Sequence, residues 1–143
     1  MPHSSRPLAR YALVALFLAA ALVAPQAARA SQDEVQSVIT RQIESFIGGD
    51  FETAYSFAAP NVKAAYPSAR IFSLMVKQGY APVFSPQSYR FGPYEDAGNM
   101  YIQRVEVIGP DGHFYTADYT VKKFGDAYLI TGCFIRKATG ISL

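Results

Sequence analysis

The chain has 143 residues, half of them hydrophobic by type, with 17% charged residues and a formal charge of +2. That positive balance resides at the N-terminal end, since beyond residue 30 ten Lys and Arg face eleven Asp and Glu and no basic run exceeds Lys122-Lys123. The counterion release that drives binding to phosphate backbones has little to act on, so no nucleic-acid partner is expected.

The first thirty residues carry Arg6 and Arg10, an apolar run over 11–23, Pro25, and the small-residue pair around Arg29 formed by Ala28 and Ala30. This pattern predicts a signal peptide over residues 1–30 with cleavage after Ala30. The apolar run is shorter than the roughly 20 residues that a membrane span requires. Residues 31–143 are therefore expected to form one soluble domain, periplasmic or secreted, with no membrane contact in its mature form. Its lone cysteine, Cys133, forbids an internal disulfide, so stability has to come from packing. One cysteine, one histidine and scattered acids make no metal-ligand set, and neither metal nor cofactor is expected.

Ser31-Gln32-Asp33-Glu34 predicts a capping box at the start of a first helix. Val35, Val38, Ile39, Gln42, Ile43 and Phe46 then recur at three- and four-residue spacing and form one buried stripe. Gly48 is expected to end that helix in a left-handed conformation and Asp50 to cap the next. The stretch Gly48-Gly49-Asp50-Phe51-Glu52 resembles a nucleotide-cyclase signature, whose glycines sit in a β-hairpin beside metal-binding acids. Here both flanks are helical and no acidic cluster lies upstream, so the stretch reads as a corner between helices. The second helix is expected over 50–58, with Phe51, Ala54, Tyr55 and Ala58 on one side and Pro60 as its stop. A third begins at Ser68, places Ile71, Leu74, Met75 and Gln78 on one face, and ends at Gly79. Pro82 and Pro86 predict extended chain over 80–85.

The period then changes to that of strands over 87–94, 100–108, 113–124 and 127–136. Pro110-Asp111-Gly112 suits a three-residue hairpin that sets Val107 opposite Tyr115, Val105 opposite Ala117, Gln103 opposite Tyr119 and Tyr101 opposite Val121. Gly125-Asp126 suits a two-residue hairpin that sets Val121 opposite Ile130, Tyr119 opposite Gly132 and Ala117 opposite Phe134. Both turns give one apolar face toward the helices. The other face is mixed and carries Ile102, Arg104, Asp118, Leu129, Cys133 and Ile135, with Arg104 across from Asp118. These six residues are the candidates for a homodimer contact. The fold expected is α+β, with three N-terminal helices on the concave face of a bent four-stranded antiparallel sheet.

Five segments in order carry a resemblance: Ile39-x-x-Gln42-Ile43-x-x-Phe46-x-x-Gly49-Asp50, Tyr55-x-Phe57-Ala58-x-Pro60, Phe72-x-x-Met75-Val76-x-x-Gly79-Tyr80-x-Pro82-Val83, Gln103-Arg104-Val105 and Ile130-x-Gly132-Cys133. Together they resemble a family of short exported bacterial proteins known as the domain of unknown function DUF4864. Its layout is similar to the NTF2-like, or cystatin-like, superfamily, in which a bent sheet wraps helices into a cone. The resemblance carries no catalytic residues over to this chain.

The helix-facing side offers Tyr101, Gln103, Tyr115, Tyr119 and Tyr128 among apolar neighbours, with Gln42 across from them on the first helix. Such a lining suits a small, mostly apolar ligand, and equally a core whose polar groups pair with one another. His113 is the one histidine available as a general base and lies at a strand end, where a solvated turn residue is the plainer reading. Cys133 reads as a packed thiol, blunted by its neighbour Asp118. A noncatalytic exported module that binds a small apolar ligand in its cone or a protein partner on its outer sheet face is the leading expectation. A small acid-base enzyme of isomerase or dehydratase type and a structural dimer or complex subunit are its alternatives.

Overall fold

The computed structural model describes residues 23–139 together with His3. Most of the segment expected to be a signal peptide lies outside the described residues. The chain divides into a unit ending at Gln32 and a unit beginning at Asp33, and the packing below concerns the second. Among the described residues no helix is long and apolar enough to cross a membrane.

Helices precede strands in the order α1 (Val23–Ile47), α2 (Phe51–Ser56), α3 (Pro60–Ala65), α4 (Ala69–Gly79), α5 (Ala81–Phe84), β1 (Ser88–Asp96), β2 (Tyr101–Ile108), β3 (Phe114–Phe124) and β4 (Ala127–Lys137). The strands form one antiparallel sheet in sequence order. The fold is thus α+β, with helices first. The stripe read on α1 is buried at all six positions, and it packs with Val105, Val107, Ala117, Tyr119, Val121 and Ile130 in one core.

Several expectations fail for identifiable reasons. Ser31 does not begin a helix, because α1 is already under way at Val23 and the Ser31 hydroxyl donates back to the Ala27 carbonyl. The left-handed residue at the first corner is Gly49, at φ 72°, and not Gly48. Its amide donates to the Phe46 carbonyl and that of Asp50 to the Ser45 carbonyl, which closes the helix end with paired bonds. Asp50 then accepts from the Thr53 amide and hydroxyl as the expected cap of α2. The corner between helices is therefore real.

Among the described residues, five helices replace the three expected. Pro60 starts α3 rather than only stopping α2, and Pro82 sits in the first turn of α5, where extended chain was expected. First-turn amides have no intrahelical acceptor, so a residue lacking its N–H costs nothing there. On α4, capped by Ser68, the buried side is Ala69, Phe72, Ser73 and Val76, whereas Ile71, Leu74 and Gln78 are exposed and only Met75 is partly covered. Phe72 turns that helix inward by packing on Phe46 and Tyr55, with ring centroids 5.9 and 5.4 Å apart.

The register of β2 on β3 is the expected one, from Tyr101 opposite Val121 to Val107 opposite Tyr115. Both hairpin turns also form, with Gly112 and Gly125 at positive φ. Beyond Val121 and Ile130, however, β4 slips by one residue. Thr120 pairs with Gly132, so Thr131 is the extra residue of a bulge. Tyr119 consequently faces Cys133 instead of Gly132, and Ala117 faces Ile135 instead of Phe134. The bulge moves Cys133 and Ile135 to the helix side and sends Phe134 outward, 62% exposed.

At that bulge the outer edge of β4 is covered. The Ile130 amide donates to the Phe57 carbonyl, its carbonyl accepts from the Ala59 amide, and the Asn61 side chain donates to the Thr131 carbonyl. The chain between α2 and α3 thus blunts an otherwise free strand edge.

Candidate functional site

A cavity of about 280 Å³ opens where α3, α4 and α5 meet the bulged part of β4. Its apolar wall comes from Phe46 of α1, Val62 of α3, Phe72, Met75 and Val76 of α4, Val83 of α5 and Ile130 of β4. Ala65, exposed at the end of α3, stands at its rim. Polar groups reach it from Gln42, Asn61, Tyr66, Tyr80, Tyr119, Thr131 and Cys133.

Several of these polar groups converge. Tyr119 and Cys133 are paired across β3 and β4, and burial, followed by the neighbouring thiol, raises the pKa of the Tyr119 phenol well above its ordinary value. Cys133 is pushed up to about 12, first by burial and then by the charge of Asp118. Tyr80 is raised by burial and next by its neighbours Cys133 and Tyr66. The two phenols and the thiol therefore remain protonated near neutral pH and act as neutral donors. Gln42 spends its amide on the Ala54 carbonyl, 3.2 Å away, and holds α2 beside α1.

Of the six ligand candidates read from sequence, Gln42 and Tyr119 line this cavity and the other four do not. Gln103 has no solvent exposure and is consumed structurally. Its Nε2 donates toward the carbonyls of Gly92, Pro93 and Arg104, while its Oε1 accepts from Gln36. It thereby holds the β1 bulge, where pairing shifts between Phe91 and Tyr94. Tyr101 stacks on Tyr94 at 6.3 Å and packs at a tilt against Tyr128 at 5.8 Å. Tyr115 donates to the Asp111 carboxylate of the adjoining turn.

His113 is exposed in the hairpin turn, where its backbone amide donates to Asp111. Among the described residues, no histidine, aspartate or glutamate lines the cavity. Among the described residues no group of three or more His, Cys, Asp and Glu is placed to hold a metal ion.

Of the six dimer-face candidates, Ile102, Arg104, Asp118 and Leu129 are on the outer sheet face, whereas Cys133 and Ile135 are not. Arg104 holds Asp118 through two bonds of 2.8 and 3.0 Å, and Arg136 approaches the same carboxylate at 3.6 Å. The residues missed in the cavity, chiefly Val62, Ala65, Tyr66, Tyr80 and Val83, belong to or flank the two short helices that carry proline in their first turn. Pro60 and Pro82 were the available signal, being as fit to open a helix as to stop one.

Known proteins bear on the fold. No curated protein matches the chain. An NTF-2-like protein of unknown function from Burkholderia xenovorans LB400 superposes with a TM-score of 0.50 at 8% identity, covering 78% of this chain and 88% of that one. That likeness identifies the NTF2-like fold. A de novo designed β-sheet protein of cystatin fold gives a TM-score of 0.34 at 13% identity, over 55% of this chain and 93% of the other. A family model matches residues 28–143, and the chain belongs to that family, the domain of unknown function DUF4864.

Proposed function

We propose that this chain is an exported, noncatalytic binding module whose cavity takes a small, mostly apolar ligand. The observation that carries the reading is the cavity itself, apolar over most of its wall, with the hydroxyls of Tyr80 and Tyr119 and the Cys133 thiol gathered at one place in it. Ligand sites have this composition, a greasy wall with a few converging polar groups. The absence of any lining carboxylate or imidazole speaks against the acid-base alternative, which needs a group that exchanges protons near neutral pH. Thermal denaturation against a library of small apolar molecules tests the proposal. A ligand at a hundred times its Kd adds about 2.7 kcal/mol of stability. Ala65→Trp, at the exposed rim, should abolish such shifts while leaving the unliganded Tm nearly unchanged. A library without a single stabilising member would refute the proposal.

A second reading concerns the outer sheet face as a contact with another copy of this chain. Phe114 and Phe134 are 48% and 62% exposed there, near the Arg104, Asp118 and Arg136 cluster. Apolar side chains beside this ion-paired cluster make a patch that a second copy can cover about a two-fold axis. Sedimentation should give a dimer for the parent and a monomer for Phe134→Asp; a monomeric parent would end this reading.

A further inference from the structure

We infer that the cavity selects an uncharged ligand of about ten non-hydrogen atoms that carries a hydrogen-bond acceptor, and that it rejects the corresponding carboxylate. This inference rests on the reading of the cavity as a ligand site. Size comes first: an engineered apolar cavity of about 150 Å³ holds benzene, so 280 Å³ accommodates roughly twice that molecule.

Charge comes second. Among the described residues none that lines the cavity carries a charged side chain, and two charged residues that flank the lining, Lys63 and Asp118, are engaged elsewhere. Lys63, beside Val62 on α3, has its ammonium 5.3 Å from the centre of the Tyr55 ring. Asp118, adjacent to Tyr119, is held by Arg104 and Arg136. A carboxylate entering the cavity would lose its hydration and gain no cation in return.

Hydrogen bonding comes third. Phenol and thiol heads keep their protons there, so the convergent groups offer O–H and S–H donors to a carbonyl or ether oxygen. Sulfur from Met75 and Cys133 beside the rings of Phe46, Phe72 and Tyr80 makes the rest of the wall polarizable and adaptable to chain or ring.

Methyl octanoate and octanoate share a chain and differ in charge, and their affinities for the full domain at pH 7.4 can be compared by calorimetry or NMR titration. The ester is expected to bind at least tenfold more tightly than the carboxylate. Tyr80→Phe should weaken the ester roughly threefold to tenfold, the range of one neutral hydrogen bond. Octanoate binding as tightly as the ester would overturn the charge selection while leaving the cavity a ligand site. Unchanged ester affinity in Tyr80→Phe would overturn the assignment of the acceptor. Binding of neither probe, with no response to any neutral analogue of similar size, would overturn the ligand-site reading and this inference with it.

Discussion

Replacing Gln103 by leucine conserves most of the volume of a residue without solvent access and deletes every hydrogen bond that it makes. Its Nε2 lies 3.1 Å from the Gly92 carbonyl, 3.2 Å from that of Pro93 and 2.8 Å from that of Arg104. Two amide hydrogens serve these three acceptors, so about two good bonds are lost. A buried group stripped of its partner costs about 1–3 kcal/mol, and the part-buried carbonyls at the β1 bulge belong at the lower end of that range. Gln103→Leu is therefore expected to destabilise the domain by about 2–3 kcal/mol. With an m-value of about 1–3 kcal/mol/M, the urea midpoint should fall by roughly 0.7–3 M. Gln36, which donates to Gln103 Oε1 at 3.1 Å and keeps partial access to water, provides the control. Gln36→Leu should cost less than about 1 kcal/mol. Equal midpoints for the parent and Gln103→Leu would refute the assignment of Gln103 as the residue that holds the bulge.

Ser73 carries a buried hydroxyl without a partner, so Ser73→Ala should stabilise the chain by about 1 kcal/mol and raise its Tm by several degrees; a lower Tm would contradict this. Arg104 holds the Asp118 carboxyl below its ordinary 3.8. Its contribution is then fully present above that value and lost as pH falls through the lowered one in the folded chain. Both side chains are partly solvated, at 35% and 24% exposure, so the pair is worth at most about 1 kcal/mol. Stability measured from pH 5 down to about 2 should accordingly fall less in Asp118→Asn than in the parent, and parallel curves would exclude the pair from acid unfolding. Cys133, with its thiol pushed up to about 12, should react with a disulfide reagent at pH 8 at least tenfold more slowly than an unperturbed thiol, and at the ordinary rate once unfolded. Fast labelling of the folded chain would mean that the thiol is not sealed in the cavity wall.

Much of this fold was legible because independent signals coincided. The α1 stripe repeats six times, and two turns with different residue requirements set the same inward face for β2 and β3. What failed was local competition between patterns of equal regularity. On α4 two apolar stripes overlap, and the one containing Phe72 wins because that ring meets Phe46 and Tyr55, a contact invisible in the periodicity. On β4 a single inserted residue reverses every later side chain, and the only trace in sequence is glycine inside a strand pattern. Gly132 follows the bulged Thr131, and Gly92 occupies the corresponding break in β1. The polar residues read as pocket lining are buried in the core or packed against it, but tyrosine alternation does not say which end of a sheet the helices leave open. Tyr101 and Tyr128 pack on each other with tilted rings, while the open space lies at the other break, beside Cys133.

The most direct test of the ligand site is a titration of methyl-labelled protein with methyl octanoate, followed by NMR. Saturable shifts at Met75, Val76, Val83 and Ile130, with Val105 and Val107 unmoved, are the predicted result. Shifts confined to Ile102, Ile108 and Leu129 on the outer sheet face, or no saturable shift at all, would contradict it.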